Sequence, residues 1–338
     1  MLSSLSSNNS NSISHKPAQP GQPLVHLSAP VVAPSGVELQ RLVTSPESEC
    51  GLEDFASALT IRDVIFECEG DGSMAQHPGF PGAVRQVIGS ELMKTASREA
   101  LGGVPCAWGP ACGLHVFFNG QRGSKDLDIP PPWVVRSETT GANSLRITLR
   151  LFGLGLLWSS ELSEACHRAI ERGISLTGVG QVCQSVLIRS VEAVWTGLQD
   201  EPANNSQALV SFQTPLRINS CESNILAGKN FFAGLAKRSA NIARWHGIQL
   251  VEDRAMLEAF AEAAQIDEVG LGEIEWNRSV SQQGGANIAM KGQMGLLQIR
   301  LPAEGRRSLI RLLQIGELLH AGGKIAFGQG RYELYLIN

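Results

Sequence analysis

The chain has no excess of positive charge: 28 Lys and Arg stand against 32 Asp and Glu, a net charge of −4 over 338 residues. That excludes a protein that is basic overall, so any nucleic-acid surface must be a local patch. No apolar run approaches the length of a membrane span, and the first residues lack the basic and then apolar regions of a secretory signal; a cytoplasmic protein is expected. Seven cysteines, an odd number at irregular spacing, point to free thiols in a reducing compartment. Cys106 and Cys112 lack a second Cys or His pair at zinc-ligand spacing, and no Asp/Glu cluster suggests a two-metal nuclease, so neither metal nor cofactor is expected. There is likewise no Gly-x-Ser-x-Gly motif or Cys/His order suited to acyl chemistry.

What is present is enough apolar content, 43%, for two cores. Residues 1–50, rich in Ser, Asn, Gln and Pro, read as a disordered leader. The acidity is uneven: residues 1–206 carry 14 Lys/Arg against 20 Asp/Glu, and residues 207–338 carry 14 against 12. Pattern reading places strands at Thr60–Glu69, Leu114–Phe118, Leu145–Phe152 and Val182–Trp195, with helices from Gly82 to about Arg98 and over Ser160–Arg172. A linker at 196–206 separates this unit, residues 51–200, from a second at 207–338. There the expected strands are Ala208–Ile218, Gly272–Ser279, Gln293–Leu301 and Tyr332–Ile337. The helices are Phe231–His246 and Arg306–His320, with Arg254–Ala264 as an extra one. Both units have the order β-α-β-β-α-β. The expected fold class is α+β, two tandem ferredoxin-like (RRM-like) domains, each with a four-stranded antiparallel sheet.

The last helix feeds the last strand through a loop carrying Gly322, Gly323, Gly328 and Gly330, with Lys324 and Arg331 interleaved. Such a loop offers backbone N–H groups bare of side chains beside two cations, a combination suited to a phosphodiester. A tight αβ connection is the plainer reading. A P-loop or dinucleotide fingerprint would follow a strand and open a helix, the reverse of this order.

The stretch Gly316-Glu-Leu-Leu-His320-Ala-Gly-Gly-Lys324-Ile-Ala-Phe327-Gly-Gln-Gly330-Arg331-Tyr332 resembles the C-terminal signature of the CRISPR-associated endoribonucleases of the RAMP superfamily that process precursor CRISPR RNA. Their pattern runs His-x-Gly-Lys-x-x-x-Phe-Gly-x-Gly-x-Tyr, and here Gly323 is an extra glycine before Lys324. Phe80–Gly89 resembles the family's Gly-x-x-Arg-x-x-x-Gly first helix, and Pro105–Leu114 its Cys-and-Pro segment. Pro131–Val134 with Thr148–Gly153 resembles the section that follows. Trp276–Gln282 with Met290–Gly295 resembles its Trp-x-Arg-x-Ser-x-Arg-Gln hairpin and Gly-x-x-Gly turn, with Ser281 or Gln282 where the pattern has Arg.

The resemblance implies an endonuclease that binds CRISPR repeat RNA and cuts within the repeat without a metal. The 2′-hydroxyl next to the scissile phosphate attacks in line, leaving 2′,3′-cyclic phosphate and 5′-hydroxyl ends. It equally admits a non-catalytic subunit that holds crRNA in a CRISPR ribonucleoprotein. Other effector-complex subunits or a second copy of the chain are further partners it allows; an RRM-like protein unrelated to CRISPR is a weaker third reading.

A histidine suits the proton transfer because it titrates near neutrality. His320, at the histidine of the C-terminal pattern, is the first candidate, with helix capping as its alternative. His77, just before the first helix, is the second. Lys324 is the candidate for charge on the phosphorane. RNA contacts are expected from Arg85 of the first helix, from Arg278, Gln282 and Lys291 of the hairpin, and from Lys324, Phe327, Gly328, Gly330 and Arg331 of the loop. His15 and His26 fall in the leader, while His115, His167 and His246 read as structural or surface residues. Arg306, Arg307 and Arg311 read as a solvated helix face.

Overall fold

The computed structural model describes residues 32–122, 127–176, 182–183, 186–198, 205–217, 228–251, 254–280 and 286–337. The first sheet is built from β1 (Thr60–Glu69), β2 (Trp133–Gly141), β3 (Ser144–Phe152) and β4 (Val186–Thr196), with helices α1 (Phe80–Met93) and α2 (Ser159–Arg172) between them in sequence. Its order is β2-β3-β1-β4, antiparallel throughout. The second sheet repeats the scheme with β5 (Gln207–Phe212), β6 (Gln265–Val280), β7 (Ala286–Arg300) and β8 (Tyr332–Ile337). Its helices are α3 (Gly228–Arg244), α4 (Arg254–Ala263) and α5 (Arg306–Leu319). The order β6-β7-β5-β8, again antiparallel, matches the first. The tandem ferredoxin-like fold expected from the element order is the observed one. Among the described residues no helix is long and apolar enough to cross a membrane.

Alternation decides which face each sheet buries. Val64, Phe66 and Cys68 of β1 and Leu145, Ile147, Leu149 and Leu151 of β3 are fully buried, while Asp63 and Arg150, opposite one another in register, point to the other face and pair through two hydrogen bonds of 2.8 and 2.7 Å. α1 starts with Pro81 in its first turn and buries Phe80, Val84, Ile88 and Leu92 at helical spacing. Its Glu91, also buried, is held by Lys94 at 2.7 Å and by Arg172 of α2 at 2.6 Å, which ties the two helices together.

Three sequence expectations are corrected. Leu114–Phe118 is no strand: Gly113–Phe117 is a short helix, its first N–H accepted by Glu161 at 2.9 Å, and the second strand of the sheet is Trp133–Gly141. A run of five that is apolar but for His115 carries no clear period and fits a buried helical turn as well as a strand. Within residues 32–50, part of the expected leader, Gly36–Thr44 is helical and Ser48–Cys50 is a strand. The helix begins at a capping box, in which Ser35 Oγ accepts from Glu38 N–H while the Glu38 carboxylate accepts from Ser35 N–H at 2.9 Å. The strand pairs in parallel with Ile248–Leu250 of the second domain, and Arg244 donates to the Thr44 carbonyl at 3.0 Å. This segment therefore straps the two domains together. Arg311, expected on a solvated face, is buried on α5, where it pairs with Glu53 of the first domain at 2.8 Å.

Two histidines hold the domains in register. At the end of α3, His246 accepts the Thr60 N–H on Nε2 (3.0 Å) and turns Nδ1 to the Ile242 carbonyl (3.0 Å). The neighbouring Trp245 donates its ring N–H to Pro130 at 2.9 Å, and its carbonyl accepts Leu154 N–H at 2.7 Å. At the end of α5, His320 accepts from the Arg136 guanidinium of β2 at 3.1 Å. Both bonds need a neutral imidazole with a free lone pair on Nε2.

Burial lowers the pKa of His246, and burial followed by Arg136 and Arg331 holds His320 well below the ordinary 6.5. A histidine depressed in the folded state contributes stability that is complete above the unfolded pKa of about 6.5 and is lost as pH falls below it. The expected outcome is a Tm at pH 5.5 at least about 5 °C below that at pH 7.5, with a shallower dependence in His246→Gln. Equal slopes for wild type and variant in a thermal melt series would refute the assignment.

Candidate functional site at the domain junction

The glycine loop is bolted down at its base and open at its tip. Ala321 N–H donates to Gly330 O at 2.8 Å, and Gly330 N–H donates to Pro215 O at 2.9 Å. The Thr214 hydroxyl donates to Gly328 O at 2.8 Å and accepts Arg331 N–H at 2.9 Å. Gly328 and Gly330 have φ of 75° and 72°, and a Cβ at either position would overlap Pro81 or the Ala321 carbonyl. Only glycine fits both demands, which is the physical reason for this spacing. The tip, by contrast, exposes Gly322 and Lys324, with Lys324 itself in the left-handed region at φ 58°.

The loop docks onto the first domain beside His77. Buried Gln329 donates its amide to Pro78 O at 2.9 Å, Gly328 lies against Pro81, and Phe327 against Gly82 at the start of α1. On the other side, a Cβ added at Gly79 would stand 3.2 Å from the His77 ring and 3.4 Å from Trp276 of β6. The first turn of α1, the glycine loop and the long β6–β7 hairpin thus meet around His77. Its ring is half-buried, and burial lowers its pKa. Nδ1 accepts Gly79 N–H at 3.0 Å, so the neutral ring carries its proton on Nε2. Among the described residues no hydrogen bond occupies that Nε2.

The first-choice histidine has a different position. His320 is completely buried, with Nε2 on Arg136 and Nδ1 donating to Gln329 O at 3.3 Å. Its backbone, φ 65° and ψ 159°, lies in a region nearly restricted to glycine, a strain of about 1–3 kcal/mol that persists only where surroundings over-determine it. Here they do. Arg136 also donates to the carbonyls of Glu317 (2.9 Å) and Leu318 (3.2 Å), the orphan acceptors at the end of α5. His320 therefore fastens loop to domain from a position closed to solvent.

The other expected contacts divide in the same way. Arg85 is buried, donating to Phe117 O at 3.2 Å with its guanidinium over the Phe118 and Trp133 rings. Arg331 is pinned to Glu138 at 2.5 Å, across the domain junction. Lys291 is exposed on the hairpin but shared between Glu273 and Glu275. Lys324 is exposed at the loop tip. The Arg278 side chain and Gln282 lie outside the described residues. Sequence reading missed Arg136, Thr214 and Gln329, none of which stands in a motif of its own. It also missed Arg217, whose carbonyl accepts Gly323 N–H beneath the loop tip.

The charge here differs from the chain average. Arg136, Arg150, Arg238 and Arg331 all stand near enough to depress His320, against the carboxylates of Asp63 and Glu138. Burial pulls Arg238 down to about 10, and among the described residues neither its Nη2 nor Nη1 of Arg150 finds a partner. A net acidic protein therefore concentrates cations at its domain junction, where low dielectric magnifies their field. Among the described residues no three His, Cys, Asp or Glu side chains are grouped to hold a metal.

Replacing Arg136 by Met should leave His320 Nε2 and two helix-end carbonyls buried without donors, costing about 2–4 kcal/mol in urea unfolding. Gly330→Ala should destabilise by more than about 1 kcal/mol, because both its φ and its space exclude a Cβ. A loss under about 0.5 kcal/mol for either would show that the loop is not anchored as described.

Residues 210–332 match the family model described as CRISPR-associated endoribonuclease Cas6. Among solved structures, the product complex of a Thermus thermophilus Cas6 is similar over 81% of this chain and 100% of that one, at 14% identity and a TM-score of 0.51. The product complex of a second Cas6 is similar over 82% and 99%, at 12% identity and the same TM-score of 0.51. At such identities the structural likeness speaks for the fold. No curated protein matches the chain. Together with the family match, the shared fold bears out the resemblance to CRISPR-associated RAMP endoribonucleases.

Proposed function

We propose that this chain, a CRISPR-associated RAMP protein of the Cas6 kind by its matched second domain and its fold, binds CRISPR repeat RNA and cuts precursor CRISPR RNA within the repeat. The observation that carries the reading is the junction of α1, the glycine loop and the hairpin around a histidine whose Nε2 is left open. In the proposed reaction the 2′-hydroxyl attacks the adjacent phosphate in line. No metal is required, because the nucleophile belongs to the substrate.

The protein's share is to hold the nucleotide in line, supply a proton to the departing 5′-oxygen, and offset charge on the phosphorane. His77 is assigned the proton. With Nδ1 turned to Gly79 N–H, the ring presents Nε2–H outward, and protonation at Nδ1 at the expense of that bond makes it an acid. Lys324, exposed at the loop tip, is assigned the charge, with a base stacking at half-buried Phe327. His320, Arg85 and Arg331 then position this surface without touching RNA. Such chemistry fits a cytoplasmic protein.

The test is cleavage of labelled repeat RNA in excess chelator. His77→Ala should slow cutting by about 10²–10⁴-fold with binding retained. Because the acid form of His77 is required and burial lowers its pKa, the rate should fall as pH rises, with the fall setting in below about 6.5. A cut that needs added metal, or a rate unchanged in His77→Ala, would overturn the mechanism. Tight binding with no cut at any pH would assign the chain to the other class, a crRNA-holding subunit.

A further inference from the structure

The residues that follow β5, Gln213 to Arg217, are wedged between the glycine loop and the β6–β7 hairpin. Toward the hairpin, Leu216 and Gln293 of β7 exchange two backbone hydrogen bonds of 2.8 and 2.9 Å. Pro215 packs so closely on Gly292 that a Cβ there would stand 2.6 Å from its own. Toward the loop, Pro215 O accepts Gly330 N–H at 2.9 Å, and Arg217 O accepts Gly323 N–H at 2.5 Å. A Cβ at Gly322 would lie 2.4 Å from that same carbonyl. The backbone of Arg217 is therefore fixed beneath the loop tip. Its side chain takes no part in that anchoring.

The Arg217 side chain is half-buried and turns to the hairpin, where Nη1 meets the Met290 sulfur at 3.8 Å. A thioether is a weak acceptor and carries no charge. Among the described residues no carboxylate or carbonyl receives this guanidinium. The other arginines of the junction differ: Arg136 serves His320 and the end of α5, Arg150 serves Asp63, Arg331 serves Glu138, and Arg238 donates to Leu319 O at 3.3 Å. Each of these is used to hold the fold. Lys324 at the tip, one residue past Gly323, is likewise without an anion among the described residues. Two cations thus stand on adjoining stretches of chain, linked through the Gly323–Arg217 hydrogen bond, with their charge unanswered. A half-buried guanidinium has lost part of its water, and that loss is offset only when an anion arrives.

On the reading that this chain binds repeat RNA, we propose that Arg217 is a phosphate-binding residue of the same site. Its planar fork takes two oxygens of one phosphodiester, beside the phosphate at Lys324, and so fixes the strand where it passes from the loop tip to the hairpin. Met290 sets the direction of the fork and offers too weak an acceptor to compete with a phosphate. Arg217 grips a phosphate that does not react, so its contribution is the same in the bound and transition states and shows in affinity rather than in the rate at saturation.

The test follows labelled repeat RNA with the full chain in excess chelator. Filter binding gives affinity at several salt concentrations, and single-turnover cleavage gives the half-saturating concentration and the saturated rate separately. Arg217→Gln should weaken binding about 10–100-fold, lower the log–log salt slope by about 1, and leave the saturated rate and the Tm unchanged. Arg217→Lys, which keeps the charge without the fork, should recover part of the loss. Arg300→Gln is the control, because Arg300 is exposed at the far end of β7 and paired with Asp267 at 2.7 Å; its affinity should stay that of wild type. Wild-type affinity and slope in Arg217→Gln would overturn the assignment, as would an equal loss in Arg300→Gln or a lowered Tm in Arg217→Gln. Wild type that does not bind repeat RNA would instead overturn the proposed function, and this role with it. Binding without cutting leaves the filter-binding comparison to decide for or against Arg217.

Discussion

The hydrogen bond from Arg136 to His320 joins three things that are otherwise separate: the edge strand of the first sheet, the last helix of the second domain, and the loop that follows it. One guanidinium supplies donors to a histidine and to two carbonyls that the helix end leaves unpaired. Removing it strands all three in a buried setting, where an unmade bond costs more than a made one contributes. The strained backbone of His320 is tolerated for the same reason. Everything the loop presents outward, from Gly322 to Lys324, rests on this buried fastening.

The junction also shows why net charge is a poor guide to a surface. Arg136 of β2, Arg150 of β3, Arg238 of α3 and Arg331 just before β8 are gathered around His320, with Asp63, Glu138 and Glu317 as the nearby carboxylates. Water screens exposed charges more than it does these buried ones. Some residues that look like RNA contacts in a motif are consumed in making this arrangement. Arg85 stacks on Trp133, and Arg331 pairs with Glu138. A family motif can record residues that build a binding surface as readily as those that touch the ligand.

Much of the architecture was legible beforehand. Thr60–Glu69, Ser160–Arg172, Arg306–His320 and Tyr332–Ile337, expected from clear periods bounded by glycine, match observed elements to within one residue, and the repeated β-α-β-β-α-β order was right. The errors have local causes. Leu114–Phe118 has no polar residue to set a period apart from His115, and its helical state is decided by Glu161, 48 residues away in sequence. The helix Gly36–Thr44 has its capping box at Ser35 and Glu38 and buries Leu39 and Val43, features that a reading of the segment by its Ser/Asn-rich composition passes over. For the site, the glycine motif was visible as a pattern of residue types, while Arg136 and Gln329 carried no signal at all, being polar residues whose partners lie far along the chain.

By itself the sequence determined the two repeated units, the loop that joins the last helix to the last strand, and the two histidines worth weighing. These depend on periodicity and on glycine's access to positive φ, both properties of a short stretch of chain. Only the tertiary structure set the two histidines apart in their surroundings. Burial, hydrogen-bond partners and the surrounding guanidinium groups are set by residues 184 positions apart, such as Arg136 and His320. That packing places His320 inside as a fastening and leaves His77 with an open nitrogen, a distinction that no local pattern encodes.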